Sequence, residues 1–273
     1  MIKTVHLFPL LDKKLIELLK SLSPEDWHKP TVARMWTVKD IASHLLDGNL
    51  RTISGVRDGH SMPPDREIGS YQDLLDFLNK LNADWVNATK RLSPQALIEL
   101  LETTGKEYTS IMAAQNPDID AMFSVAWAGE QTSKNWFHIA REYTEKWHHQ
   151  QQIREAVGKQ GIVTDELYYP FIETLLRGLP HTYRDVQVSA GTVIGINVGL
   201  ETPHWRYLVK QETGWTIEKE TFEKPIATLE IPASIAWKLF TKAIKPAEAK
   251  MSIIINGNVE IAEVALNLIA VMA

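Results

Sequence analysis

Residues 141–158, REYTEKWHHQQQIREAVG, decide how the chain is read. A surface helix separates a dry stripe from a wet one, yet here Trp147 is wedged between Glu145 and the pair His148–His149. At roughly 100° per residue, His138, Glu142, Glu145 and His149 fall within an arc of about 60°, with His148 about a quarter-turn away. Trp147 and Ile153 point to other sides, and Trp136, Phe137 and Ile139 add apolar surface. Such a helix can turn a polar stripe towards a bundle interior. It is expected to run from Ser133 to Val157 and to stop at Gly158, the residue type that closes helices.

Upstream the grammar is helical. TVHLFPLLDKKLIELLKSLS (4–23) carries Leu7, Leu10, Leu11, Leu15, Leu18, Leu19 and Leu22 at helical spacing. Pro9 fits only in the first turn. A second helix begins in WTVKDIASHLLDGNLRTISG (36–55), where Thr37 and Asp40 resemble a capping box. DGHSMPPDREIG (58–69) is a loop by its Gly and Pro content. Ser70 with Asp73 starts a third helix, and Ser93 with Pro94 starts a fourth, SPQALIELLETTGKEYTSIMAAQ (93–115). Four long helices able to pack antiparallel suggest an up-down bundle.

After Gly158 the pattern changes. A helix, TDELYYPFIETLLRG (164–178), leads into short β-branched or aromatic runs: VQVSAGTVIGINVG (186–199), HWRYLVKQ (204–211), GWTIEKE (214–220) and ATLEIP (227–232). A helix SIAWKLFTKA (234–243), a strand MSIIING (251–257) and an apolar helix VEIAEVALNLIAVMA (259–273) complete the chain. The expected architecture is a four-helix bundle over residues 1–160 followed by a smaller α+β domain over 161–273.

The 273 residues carry a net charge of −5, which leaves no basic footprint for nucleic acid. No apolar run approaches the ~18 residues that span a bilayer, and the N-terminal apolar run is short for a secretory signal. No membrane association is expected, the expected location is cytoplasmic, and a monomer or homodimer is expected. There is no cysteine, so disulfides, thiolate metal sites and a protein-borne thiol nucleophile are excluded. Sulfur chemistry would need a small-molecule thiol.

Glu145 and His149 are one turn apart and can reach a single ion. Catalytic zinc commonly takes three protein ligands and keeps one position open. The best distant donor is His44 in KDIASHLLDGN (39–49), flanked by Ile41, Leu45 and Leu46. Spacing alone leaves two readings open: a metal site, or a solvated Glu–His pair with His44 as a core histidine. Trp205, Trp215 and Trp237 could line an apolar ligand site or fill a core.

DWHKPTVARMWTVKDIASHLLDGNLR (26–51) resembles the opening of the maleylpyruvate isomerase-like branch of the DinB/YfiT superfamily, with its Trp, Thr-Val, Asp and His-Leu-Leu. REYTEKWHHQQQIREAVG resembles that family's second hallmark, Glu, three residues, His, a polar stretch and Ala-x-Gly. The tail resembles the sterol-carrier-like domain that follows the DinB-like bundle in the thiol-dependent isomerases.

The resemblance implies His44, Glu145 and His149 as ligands of a divalent metal, usually zinc. His138, Glu142 and His148 become alternate ligands or neighbours that orient the ligands. It also implies a low-molecular-weight thiol of the mycothiol or bacillithiol type and a small electrophilic substrate. The metal-bound thiolate would act as nucleophile in isomerisation or S-transfer. An arginine of the tail is implicated in the isomerase, and Arg184 and Arg206 are the candidates. Gln150, Gln151 and Gln152 stand where active members often carry an acidic residue. The alternative is a non-catalytic, metal-stabilised protein whose C-terminal domain binds a small apolar ligand; a fourth ligand from His138 or Glu142 would close such a site.

Overall fold

Leu11, Leu15, Leu18 and Leu19 bury one stripe of the first helix, α1 (Phe8–Lys20), with Pro9 accommodated in its first turn. The computed structural model describes residues 1–33, 35–60 and 62–270. Helix α2 (Val38–Thr52) opens on a complete capping box: Asp40 Oδ2 accepts from the Thr37 amide at 2.9 Å, and Thr37 Oγ1 accepts from the Asp40 amide at 3.4 Å. Ser70 caps α3 (Tyr71–Thr89) and Ser93 caps α4 (Pro94–Ala114), each hydroxyl accepting an amide of the first turn. Helix α5 (Asn135–Val157) ends where Gly158 takes φ 70°, the left-handed conformation that closes it.

These helices form a ring. Helix α4 packs against α1 and α2, α5 packs against the same two, and α3 lies outside on α2. The ring closes over Leu15, Leu18 and Leu19 of α1, Ile41, Ala42, Leu45 and Leu46 of α2, Leu97, Ile98 and Leu101 of α4, and Ile153 of α5.

Helix α6 (Asp165–Leu176) and the short α7 (Leu179–Thr182) lead into a mixed five-stranded sheet. Its strands are β1 (Val193–Asn197), β2 (Trp205–Lys210), β3 (Trp215–Glu218), β4 (Ala227–Glu230) and β5 (Ile254–Gly257), in the order β3-β2-β1-β4-β5. Only β1 and β4 run parallel, with Ile194 opposite Ala227 and Ile196 opposite Leu229. Helices α8 (Ala233–Phe240), α9 (Pro246–Ala249) and α10 (Val259–Glu263) complete the layer. A helical half followed by a sheet-bearing half is therefore the architecture that the residue patterns indicate.

One expectation is corrected. The apolar segment 259–273 is not one helix: α10 gives way to a 3₁₀ turn over Val264–Asn267. Leu266, Leu268 and Ala270 are then all buried, and the Ala270 amide bonds the Phe240 carbonyl at 3.0 Å. Alternate burial of these residues needs extended backbone, because a helix would swing every second residue to a different side. Residues 271–273 of that expected helix lie outside the described residues.

Helix α5 joins the two halves. Its Trp147 stacks on Phe171 of α6 with ring centres 4.0 Å apart and meets Trp237 of α8 edge-on at 6.5 Å. One apolar core runs from Leu7 and Phe8 through Trp147 to Leu229 and Phe240. Trp215 and Trp237 belong to that core, whereas Trp205 is half-buried on β2. Among the described residues no helix is long and apolar enough to cross a membrane.

Removing a large fully buried aromatic ring costs about 3–5 kcal/mol, so Trp147→Ala should lower stability by that amount in urea unfolding. Thr37→Ala, which removes a cap, should cost about 1 kcal/mol. A Trp147→Ala cost no larger than that of Thr37→Ala would show that the halves do not lean on this contact.

Candidate metal centre

The packing of α2 on α5 brings His44 to Glu145 and His149. One donor atom from each lies within 4.8 Å of the other two, and among the described residues no fourth His, Asp or Glu joins the group. Apolar neighbours set this approach: Ile41 and Leu45 on α2 and Ile153 on α5 pack in one cluster around it. The imidazoles of His44 and His149 meet edge-on with centres 4.7 Å apart. Trp36, in the turn before α2, covers both rings at 4.9 Å and 6.3 Å.

The polar detail shows what the group is suited to hold. His149 donates from Nδ1 to Gln152 Oε1 at 2.9 Å, which leaves the Nε2 lone pair facing Glu145 Oε2 at 3.5 Å. With His149 neutral, both atoms would bind a cation placed between them. Two donors on one tetrahedral zinc lie roughly 3.4 Å apart, close to the separation seen. His44 Nδ1 is buried with no hydrogen-bond partner, so the ring is not tied down by a competing contact on that side. The residues present fit a divalent ion with His₂Glu ligation.

Electrostatics point the same way. Burial, reinforced by the charge of His149, holds the His44 imidazole well below its usual range and so keeps it in the neutral, ligating form. Burial works to raise the Glu145 carboxyl, but the adjoining His148 and His149 outweigh it and hold it ionised. His148 stacks on His149 at 3.9 Å and donates from Nδ1 to the Thr144 carbonyl at 2.8 Å. Burial first, then His149, pushes its pKa down to about 4.

The other residues of the stripe go elsewhere. Arg141 Nη2 donates to His138 Nδ1 at 3.1 Å and to Glu142 Oε1 at 3.2 Å, while the Tyr108 hydroxyl donates to Glu142 Oε2 at 3.2 Å. His138 and Glu142 thus form a separate cluster towards the N-terminal end of α5. Arg184 is half-exposed beside Asp185. Arg206 pairs with Glu173 at 2.6 Å and lines a cavity to which none of the three donors contributes.

The three glutamines divide their work. Gln152 orients His149, and Gln150 donates to the Leu11 carbonyl at 2.8 Å while accepting from Arg154 Nε at 3.1 Å. Gln151 carries a buried amide oxygen with no partner. The role of Gln152 was readable in principle from its i, i+3 spacing to His149; the cover by Trp36 had no local signal.

The family model for the mycothiol maleylpyruvate isomerase N-terminal domain matches residues 8–154, more than half of the chain. The chain belongs to this family. Both halves of the donor set, His44 and the Glu145–His149 turn, lie inside the matched span. No curated protein matches the chain. A solved mycothiol-dependent maleylpyruvate isomerase superposes with TM-score 0.52 at 11% identity, over 86% of each chain. A histidine-to-alanine mutant of that isomerase gives TM-score 0.54 at 11% identity over 88% of each. At this identity the likeness shows a shared fold over both halves. A UbiJ-SCP2 ubiquinone synthesis protein matches 38% of the chain at TM-score 0.23, too low to carry an argument about the tail.

Loss of a partner that orients a metal-ligating histidine costs roughly 10–100-fold in metal affinity. Gln152→Ala should show that loss in chelator competition, and Gln152→Glu should restore binding; equal affinity in all three proteins would remove Gln152 from the site. A second expectation concerns acid. The unfolded chain protonates His148 near pH 6.5 but the folded one only near 4, so the unfolded state binds more protons between these values. Stability of the metal-free protein should therefore be full above about pH 6.5 and fall towards pH 4, with a shallower fall in His148→Gln. Identical slopes in the two proteins would contradict this assignment.

Proposed function

We propose that the chain is a thiol-dependent enzyme in which His44, Glu145 and His149 hold a divalent ion, zinc by the character of the donors. The observation that carries the reading is the placement of His149 Nε2 and Glu145 Oε2, 3.5 Å apart, in one group of donors with His44. Family membership supports it, since the family is named for a mycothiol maleylpyruvate isomerase. Three protein donors leave a four-coordinate ion one position for a ligand from solution.

When bound, the ion supplies positive charge that lowers the pKa of a coordinating thiol, and a mycothiol- or bacillithiol-type thiol supplies the sulfur that a chain without cysteine lacks. The residues themselves do the positioning. Gln152 fixes the ring of His149, burial keeps His44 neutral, and Trp36 shields both imidazoles from water on one side. The substrate class is a small electrophile undergoing isomerisation or S-transfer. In this reading residues 1–160 form the metal-binding unit and 161–273 its companion domain. The closed, purely structural site has less support, because His138 and Glu142 are engaged with Arg141 and Tyr108.

Purified protein should contain one metal per chain by plasma emission, and His44→Ala and His149→Ala should each lose it while remaining folded. Full metal occupancy in both variants would sink the triad. With the triad intact, a panel of mycothiol, bacillithiol and glutathione against maleylpyruvate should show activity that depends on which thiol is present. A flat response to every thiol would remove the enzymatic reading and leave the metal.

A further inference from the structure

A cavity of about 470 Å³ lies between the N-terminal residues, α6 and the β2–β3 hairpin. Its volume is that of a small-molecule site. Lys3, Arg177, Arg206 and Lys219 line it against two carboxylates, Glu173 and Glu218, in a chain whose net charge is −5. Among the described residues the side chains of Lys3, Arg177 and Lys219 enter no hydrogen bond or ion pair. Exposed lysines are often left solvated, but here three unpaired cations share one concavity with an arginine that is largely out of water.

The floor is ordered rather than loose. Glu173 Oε1 accepts from His204 Nε2 at 2.5 Å and from Arg206 Nη2 at 2.6 Å, drawing α6, the β1–β2 loop and β2 together. Arg206 Nη1 donates to the Trp205 carbonyl at 2.6 Å, and its Nε is buried without a partner. With Nε2 held by Glu173, His204 keeps Nδ1 for a further polar contact. Tyr169 stacks flat on that ring, 4.1 Å away and inclined by 16°. Trp136, Pro170 and Ile217 supply apolar wall. Cations at the rim above flat, apolar walls match one chemistry, an anionic group carried on a planar or apolar body.

We propose that this cavity is a second small-molecule site, separate from the metal centre, that takes a small carboxylate with a flat apolar body. Arg177 and Lys219 face the carboxylate, and Tyr169 and Trp136 take the body. The assignment is independent of the metal-centre reading, because none of His44, Glu145 and His149 lines the cavity.

The test is calorimetric titration of the full chain, metal-loaded and chelator-treated, with benzoate, acetate, inorganic phosphate and benzyl alcohol as probes. Benzoate should bind once per chain in both preparations, with a shift of the His204 ring resonances. Acetate, phosphate and benzyl alcohol should each bind at least about tenfold more weakly. Arg177→Ala with Lys219→Ala should weaken benzoate about tenfold, and Ile217→Trp, which fills the cavity but leaves the charges, should abolish binding. His44→Ala should bind benzoate as wild type does. The proposal is overturned if benzoate gives neither heat nor a His204 shift. It is equally overturned if phosphate binds as tightly as benzoate, which would mean diffuse charge only, or if His44→Ala removes the binding, which would place the ligand at the metal centre.

Discussion

Helix α5 is buried on nearly every side although its sequence is polar, and most of the architecture answers that constraint. Buried polar groups must find partners, or each costs on the order of 1–3 kcal/mol. Lys146 is held by Asp12 at 3.0 Å and Asn49 at 2.8 Å, which ties α1 and α2 to α5. Arg154 reaches the Lys14 carbonyl at 3.0 Å and the Gln160 carbonyl at 2.6 Å, tying α1 to the chain that leaves the helix. Gly161 permits that second contact, since a Cβ there would lie 2.6 Å from the guanidinium. Asp12, Asn49 and the Lys14 carbonyl are all distant in sequence, so the buried polar residues of α5 help to draw the ring of helices together.

On the same helix the apolar face looks the other way. Trp147, stacked on Phe171, is surrounded by residues of the sheet-bearing half, and its indole donates to the Ile162 carbonyl at 3.3 Å. The candidate metal centre is thus placed on an element clamped from both sides. A site that must hold its donors within tenths of an ångström gains from such support, since rigid elements position ligands better than loops do.

Within the stripe, chemistry separates by neighbour. Tyr108 and Arg141 claim the Glu142 end, whereas His44 and Gln152 claim the Glu145–His149 end. A glutamine rather than an acidic residue beside His149 has a physical consequence. A neutral amide oxygen still fixes which imidazole nitrogen carries the proton, but it adds no negative charge beside the ion. The group keeps a single carboxylate, Glu145, against two neutral imidazoles, and so a larger net positive charge would remain on a bound divalent ion.

Much of this was legible in the residues. The caps Thr37, Ser70 and Ser93 and the stop at Gly158 mark helix ends through local hydrogen bonds and backbone sterics, which depend on adjacent residues only. The arc of Glu145 and His149 follows from helical periodicity, and the family motifs pointed to His44. Other features were set by contacts between residues far apart in sequence. The exclusion of His138 and Glu142 from the donor group depends on Tyr108 and Arg141, and the irregular path after Val264 depends on where Phe240 leaves a carbonyl. The Glu173–His204–Arg206 assembly joins residues 33 positions apart on three elements and has no periodicity to reveal it. Local rules determined most of the helices and their capped ends, but not the path after Val264. Only the tertiary structure decided which polar groups meet, because pairing in a low-dielectric interior is a property of position and not of sequence spacing.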